Sequence, residues 1–388
     1  MSSVRRIVVV GASQAGLACA TALRGYGFEG EITMLGDERH HPYTRPPLSK
    51  GILVGSESDD SVFLGGSEND ITLRTCASAA GLDRVNRLVT LDDGEQLPYD
   101  GLVIATGARA RRIEADPTRR EVTLRTFDDA LALRDGLARA GDVAVVGGGF
   151  LGMEIASSAV KMGKAVTVVD QTKPLSAHLG PLLADMCLTA AVDHGVKVRV
   201  VSEGVRIGFD EEMPRQVLTF DRTVIAEADL VVTAAGDVPN TEWLSGSGVR
   251  IENGVVVDDR CQVAPGIVAA GDVVSMPTSA GRMARRPHWW NALRQAKIAS
   301  ATLLRREAAS APNSNVPFFW TEVFGLSIRV AGQLPPSGAP TVLEGSAADR
   351  RGLMVWPTGP ENLGTAVAVN FPISAAKLAR IANQTPMQ

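Results

Sequence analysis

The stretches VRRIVVVGASQAGLACATALRGYGFEGEITMLGD (4–37) and DVAVVGGGFLGMEIASSAVKMGKAVTVVD (142–170) follow one plan: strand, Gly-rich turn, helix, strand, Asp. Each copy is about thirty residues, the size of a βαβ module. In the first, the β-branched run 7–10 stops at Gly11, the pattern of a buried strand meeting a tight turn. Two copies predict two dinucleotide sites, or one site and one decayed copy.

The second turn is a full G-x-G-x-x-G, with Gly147, Gly149 and Gly152 around Phe150 and Leu151. It follows a strand and opens a helix, and Asp170 ends the next strand, so all the context of a nucleotide-binding turn is present. Asp170 would accept hydrogen bonds from a ribose 2′-hydroxyl and repel a 2′-phosphate, which favours NADH over NADPH. Lys173 lies close behind it. In the first turn Gly11 permits the sharp bend, and the helix N-terminus offers free N–H groups to a pyrophosphate. Ser13 replaces the usual second Gly, Ala15 and Gly16 complete the motif, and Asp37 stands where a ribose ligand is expected. The plainer alternatives are a turn with a folding role alone and an Asp that caps a loop.

The remaining chain alternates short apolar runs with turns. Residues 71–106, 215–235 and 254–272 read as strands, and 128–140, 290–306 and 374–383 as helices. HHPYTRPPLSKGIL (40–53), rich in Pro, reads as a loop. SAPNSNVP (310–317) reads as a linker to a small C-terminal domain. The expected fold class is α/β: two Rossmann-like domains plus a small α+β domain, in a glutathione-reductase-like arrangement. The domains are an FAD-binding part at 1–108, an NAD-binding domain at 109–236, a second FAD-binding part at 237–311 and an interface domain at 312–388.

Composition narrows the chemistry. The chain has 388 residues, 45% hydrophobic and 21% charged, and a net charge of −4, so nothing in it favours nucleic acid or a membrane surface. The basic, apolar start superficially resembles a signal peptide, but its strand-and-turn pattern is expected to stay in the protein, and a cytoplasmic location is expected. Cys19, Cys76, Cys187 and Cys261 are neither at C-x-x-C spacing nor beside a His. No dithiol relay, metal site or iron–sulfur ligation is therefore expected. Two nucleotide folds without dithiol or metal imply an electron handover from nicotinamide to a flavin.

PYTRPPLSK (42–50), VIATGA (103–108), GGGFLGMEIA (147–156), VPN (238–240), VAAGDV (268–273) and HWWNALRQA (288–296) together carry a resemblance. They resemble the NADH-dependent, FAD-containing ferredoxin reductases of bacterial oxygenase systems, such as the putidaredoxin, rhodocoxin and biphenyl dioxygenase reductases. The resemblance covers about residues 4–300. It implies that Gly11, Ala15 and Gly16 hold the FAD pyrophosphate, Asp37 the adenosine ribose, and Ala79 the adenine through its backbone. It also places Arg45 and Lys50 on the flavin side, Thr106 and Gly107 near the cofactor, and Arg134 on a phosphate. Gly271 and Asp272 would meet the ribityl chain, and the Trp289 backbone the isoalloxazine. Ala235 and Gly236 would face NAD, with Ala234 standing where the family usually has Gly. Lys50 and Glu154 form the reactive pair by this resemblance: Lys50 places charge near flavin N5, and Glu154 balances it beside the nicotinamide. Without the resemblance they read as a surface Lys and a helix-surface Glu.

VPFFWTEVFG (316–325) resembles the family's P-x-F-W-S-D-Q-Y-D stretch, with Glu322, Val323 and Gly325 in place of its Asp, Gln and Asp. Residues 273–306 hold Arg282, Arg285, Arg286, Arg294, Lys297, Arg305 and Arg306 without one acid. That run reads either as a solvated helix face or as a docking surface for an acidic [2Fe–2S] ferredoxin, with Arg285, Arg286 and Lys297 as the contacts. Trp289 and Trp290 also read as core residues. The expected reaction is NADH:ferredoxin oxidoreduction, feeding a cytochrome P450 or a Rieske oxygenase. The rivals are an NADH oxidase, which would want a redox Cys in 38–56 where there is none, and a flavin-bound, NADH-sensing interaction protein of the apoptosis-inducing-factor type.

Overall fold

A run such as Ile7-Val8-Val9-Val10 suits a strand buried on both faces, as in the middle of a parallel sheet. The computed structural model places it there. It describes residues 4–65, 70–114, 121–211, 213–278, 281–306, 316–357 and 364–384. The chain divides into two compact units, one of Met1–Thr44, Val62–Arg109 and Val238–Ala311, the other of Arg45–Ser61, Ala110–Asp237 and Pro312–Gln388.

In the first unit a six-stranded sheet runs in the order Gln262–Ala264, Ile267–Ala269, Gly101–Ile104, Arg6–Val10, Glu31–Leu35, Thr72–Arg74. All neighbours are parallel except the antiparallel pair at the Gln262–Ala264 edge. Alternate residues of the central strand face opposite ways. Ile7 and Val9 pack under the helices Gln14–Gly25 and Trp289–Leu303, against Ala15, Cys19, Ala20, Ala292, Ala296 and Ala299. Small residues on both helices let them approach closely. Val8 and Val10 face a second cluster with Leu82, Val89 and Leu91 from the antiparallel strands Ala79–Asp83 and Leu88–Leu91.

In the second unit the repeat reappears. A parallel sheet runs Lys197–Val200, Ala165–Asp170, Asp142–Val146, Leu230–Thr233, Val122–Thr123. The helix Phe127–Arg139 is closed at its start by a capping box between Thr126 and Asp129. The C-terminal part is a five-stranded antiparallel sheet, Phe318–Val323, Leu326–Ala331, Thr365–Val369, Arg351–Trp356 and Thr341–Ser346 in spatial order. The helix Ala375–Gln384 covers it through Leu378, Ala379 and Ala382.

Two expectations change. The segment expected as a loop at 40–53 contains a 3₁₀ turn, Pro46–Ser49, and a short helix, Gly51–Val54. Two prolines pre-set the backbone of that turn, where their missing N–H groups are not needed. A helix at Ser176–Asp193, kinked at Gly180 and Pro181, escaped the periodicity reading because the kink interrupts its repeat. The linker at 310–317 falls mostly outside the described residues.

Candidate active site

Both Gly-rich turns bend the same way for the same reason. Gly11 and Gly147 take φ of +115° and +110°, which side chains other than hydrogen rarely tolerate. A Cβ on Gly11 would strike the Ala105 carbonyl, and one on Gly147 the Ala234 carbonyl. A Cβ on Gly16 or Gly152 would strike the carbonyl of its own turn's first Gly. Ala234 fits because its methyl lies 3.4 Å from where a Gly152 Cβ would stand.

The first turn suits a dinucleotide pyrophosphate. Ser13 is the N-cap of Gln14–Gly25, in extended backbone, and its hydroxyl caps no helix N–H. The positive end of the helix is thus left for an anion. Small residues keep the approach open: a Cβ on Gly271 would come within 2.8 Å of the Ala15 Cβ. The Gly271 N–H is held by Gln295 Oε1 at 2.9 Å. Thr106 and Gly107 are clamped by Asn240, whose Nδ2 donates to the Thr106 carbonyl at 2.9 Å and whose N–H donates to the Gly107 carbonyl at 3.0 Å. The Thr106 hydroxyl returns a bond to the Asn240 carbonyl at 2.7 Å. Asp37 is exposed just past the strand Glu31–Leu35, and Ala79 opens the strand Ala79–Asp83.

The second turn carries an oriented acid. The Gly148 N–H donates to Asp170 Oδ2 at 2.5 Å and the Thr172 N–H to Oδ1 at 2.9 Å. Two amides fix the carboxylate at the turn and leave lone pairs for a ribose. Lys173 pairs instead with Asp185, so its charge is matched within the protein. Phe150, the first residue of the helix Phe150–Lys161, lies between two rings: Phe319 at 4.2 Å and His178 at 5.1 Å between centroids. Desolvation lowers the His178 pKa, with the Asp170 charge opposing it. Gly236 ends this side of the unit with φ of +94° beside Ala235.

Lys50 and Glu154 do meet. Lys50 Nζ lies 2.7 Å from Glu154 Oε2, and it also donates to the Pro46 carbonyl at 3.2 Å. Glu154 is not on a helix surface; it is 8% exposed. Ser49 Oγ donates to its Oε2 at 2.6 Å and Thr321 Oγ1 to its Oε1 at 2.7 Å. The same helix face is tied on through Ser158, whose hydroxyl donates to the Ser49 carbonyl at 2.6 Å, and Ser157, which accepts the Phe324 N–H at 2.8 Å. A buried carboxylate needs such donors, because an unpaired charge in low dielectric is expensive.

Other expected residues take structural partners. Arg45 donates to the Arg125 carbonyl. Arg134 makes a two-pronged pair with Asp59 at 2.7 and 3.0 Å, and its bonds hold the Asp59 carboxyl below its usual range. Arg285 reaches the backbone carbonyl of Asp272 at 3.0 Å and is half-buried, whereas Arg286 and Lys297 are exposed. Trp289 is 38% exposed, with its indole N–H on Gln14 Oε1 at 3.1 Å, and Trp290 is half-buried beside Arg294, so neither is a core residue.

Ser49, Thr321, Asn240, Gln295 and His178 were not singled out from sequence. For Thr321 a signal existed: it stands at the Ser of the F-W-S-D stretch. Burial pushes the Cys187 and Cys261 thiols up to about 12, and that of Cys19 also upward. Cys76 is exposed, and none of the four is paired. Among the described residues no group of His, Cys, Asp and Glu could hold a metal ion, and no helix is long and apolar enough to cross a membrane.

Residues 5–299 match the family model described as pyridine nucleotide-disulphide oxidoreductase. The probable ferredoxin reductase CtmF of Castellaniella defragrans is 37% identical over 359 residues, 90% of this chain and 86% of its own. Rhodocoxin reductase of Rhodococcus erythropolis is 34% identical over 84% of this chain and 78% of its own. A crystal structure of the covalent putidaredoxin reductase–putidaredoxin complex superposes with a TM-score of 0.84 at 28% identity, covering 97% of this chain and 92% of that one.

Proposed function

We propose that this chain, which belongs to the pyridine nucleotide-disulphide oxidoreductase family, oxidises NADH through FAD and passes the electrons singly to a [2Fe–2S] ferredoxin serving a cytochrome P450 or Rieske oxygenase. The observation that carries this is the pair of half-buried Lys50 with buried Glu154 in a chain that has two nucleotide cradles but no thiol placed for a relay. FAD, when bound, supplies the acceptor for a hydride and releases electrons one at a time.

The protein's own residues position and polarise. Gly11, Ser13, Ala15, Gly16 and Gly271 would hold the FAD side, all in the unit of Met1–Thr44, Val62–Arg109 and Val238–Ala311, with Asp37 and Asp272 on hydroxyls. Gly147, Gly149, Gly152 and Asp170 would hold the nicotinamide nucleotide. Lys50 keeps a positive charge where electron density arrives, and Glu154 keeps that charge in place through a short ion pair. Hydride transfer needs no acid or base, so the pair acts by electrostatics alone.

The testing experiment is NADH oxidation with small acidic [2Fe–2S] ferredoxins, read as kcat/KM. Turnover should be ferredoxin-dependent and saturable; ferricyanide reduction without any ferredoxin turnover overturns the reading. The protein should purify yellow, with FAD released on denaturation. In Gly16→Ala the added methyl would meet the Gly11 carbonyl. Overpacking of this kind costs roughly 1–3 kcal/mol, so FAD should bind about tenfold more weakly in a titration of the apoprotein. Unchanged FAD affinity would place the cofactor elsewhere.

Arg286 and Lys297 are the better candidates for steering an acidic carrier, since both are exposed whereas Arg285 is half-buried. Arg286→Glu with Lys297→Glu should raise the ferredoxin KM about threefold or more at low salt, with the gap closing as salt screens the field. Ferricyanide reduction should hardly change. Wild-type ferredoxin kinetics in this variant at low ionic strength would make the stretch a solvated face only.

A further inference from the structure

The Glu154 carboxylate has three donors besides its helix surroundings, and one of them comes from the C-terminal sheet. Thr321, 0% exposed, sits in the strand Phe318–Val323 and gives its hydroxyl proton to Oε1, the oxygen that Lys50 does not use. Ser49 and Lys50 share the other oxygen. The carboxylate is therefore held at both ends. With Oε1 fixed by Thr321, rotation about the carboxyl group would break a buried bond, so Oε2 stays aimed at the ammonium.

We propose that Thr321 is a positioning residue of the electron-transfer centre: its hydroxyl locks the Glu154 carboxylate so that the Lys50 ammonium stays where it polarises the flavin. One side chain of the C-terminal sheet then sets the field at the redox site. The neighbouring bond from the Phe324 N–H to Ser157 Oγ at 2.8 Å pins the next turn of the hairpin to the same helix. It keeps the strand in register when the Thr321 hydroxyl alone is removed. This inference rests on the assignment of Lys50 and Glu154 to the flavin.

Thr321→Val keeps the shape and removes the donor; Thr321→Ser keeps the donor and removes a methyl. Hydrogen bonds to charged groups are worth enough that losing one should slow flavin reduction by saturating NADH about fivefold to tenfold in stopped flow. The midpoint potential of bound FAD should fall, because a carboxylate with one donor fewer neutralises the Lys50 charge more fully. Thr321→Ser should recover both. FAD content and the Kd for NAD⁺ should stay at wild-type values in both variants. Overturning results are a wild-type rate and potential in Thr321→Val, or a loss that Thr321→Ser does not recover, or one explained by lost FAD. The parallel variant Lys50→Met separates the two levels: if it too reduces at the wild-type rate, the assignment of the pair has failed; if it is slow while Thr321→Val is not, only the role of Thr321 has.

Discussion

Lys50→Met should reduce its flavin with NADH about a hundredfold more slowly than wild type, a loss of the size seen when one preorganised electrostatic donor is removed, while FAD remains bound. The ammonium lies 2.7 Å from Glu154 Oε2 with side-chain exposures of 19% and 10% for the two partners, so little solvent screens it. Met has a similar stem and no charge. The change also strands the Glu154 carboxylate, which keeps only the Ser49 and Thr321 hydroxyls. Breaking one side of a buried pair destabilises by roughly 3 kcal/mol, so the melting temperature should drop as well. The double variant Lys50→Met/Glu154→Gln removes both charges and should regain most of the stability without regaining the rate. A single variant that reduces at the wild-type rate, measured by stopped flow with full FAD occupancy, sinks the role given to Lys50. A double variant that recovers the rate would mean that the single change acted only by disturbing the fold.

NADH should exceed NADPH by well over tenfold in kcat/KM, and Asp170→Ala should bring the two together from the NADPH side. Asp170 is held by the amides of Gly148 and Thr172, so it cannot swing away from a 2′-phosphate. Like charges brought together at a binding site cost several kcal/mol, and each 1.4 kcal/mol is about tenfold. Lys173, close behind Asp170 in the sequence, pairs with Asp185. In Asp170→Ala the NADH KM should rise through the lost ribose bond while the NADPH KM falls. The measurement is the ratio of kcat/KM for the two nucleotides at one ionic strength. Equal use of both by the wild type would move the ribose site away from Asp170.

Sequence by itself determined the two cradles. A Gly with positive φ, a strand before it, a helix after it and an Asp at the next strand end all fall within about thirty residues, and local sterics settle each. The duplicated carbonyl contacts of Gly11 and Gly147 are the structural form of the duplicated motif. The Lys50–Glu154 pair was reached only through likeness to relatives, since either residue alone reads as a solvated charge. Only the tertiary structure decided that Glu154 is buried and what satisfies it. Its donors lie 105 residues away at Ser49 and 167 residues away at Thr321, and no local pattern records such a bond. The same holds for Asn240, which clamps Thr106 from 134 residues along the chain, and for Arg285, whose guanidinium donates to the Asp272 backbone carbonyl. Periodicity reports which face of an element is apolar. It does not report which buried polar groups meet across elements, because that is set by how the faces are brought together.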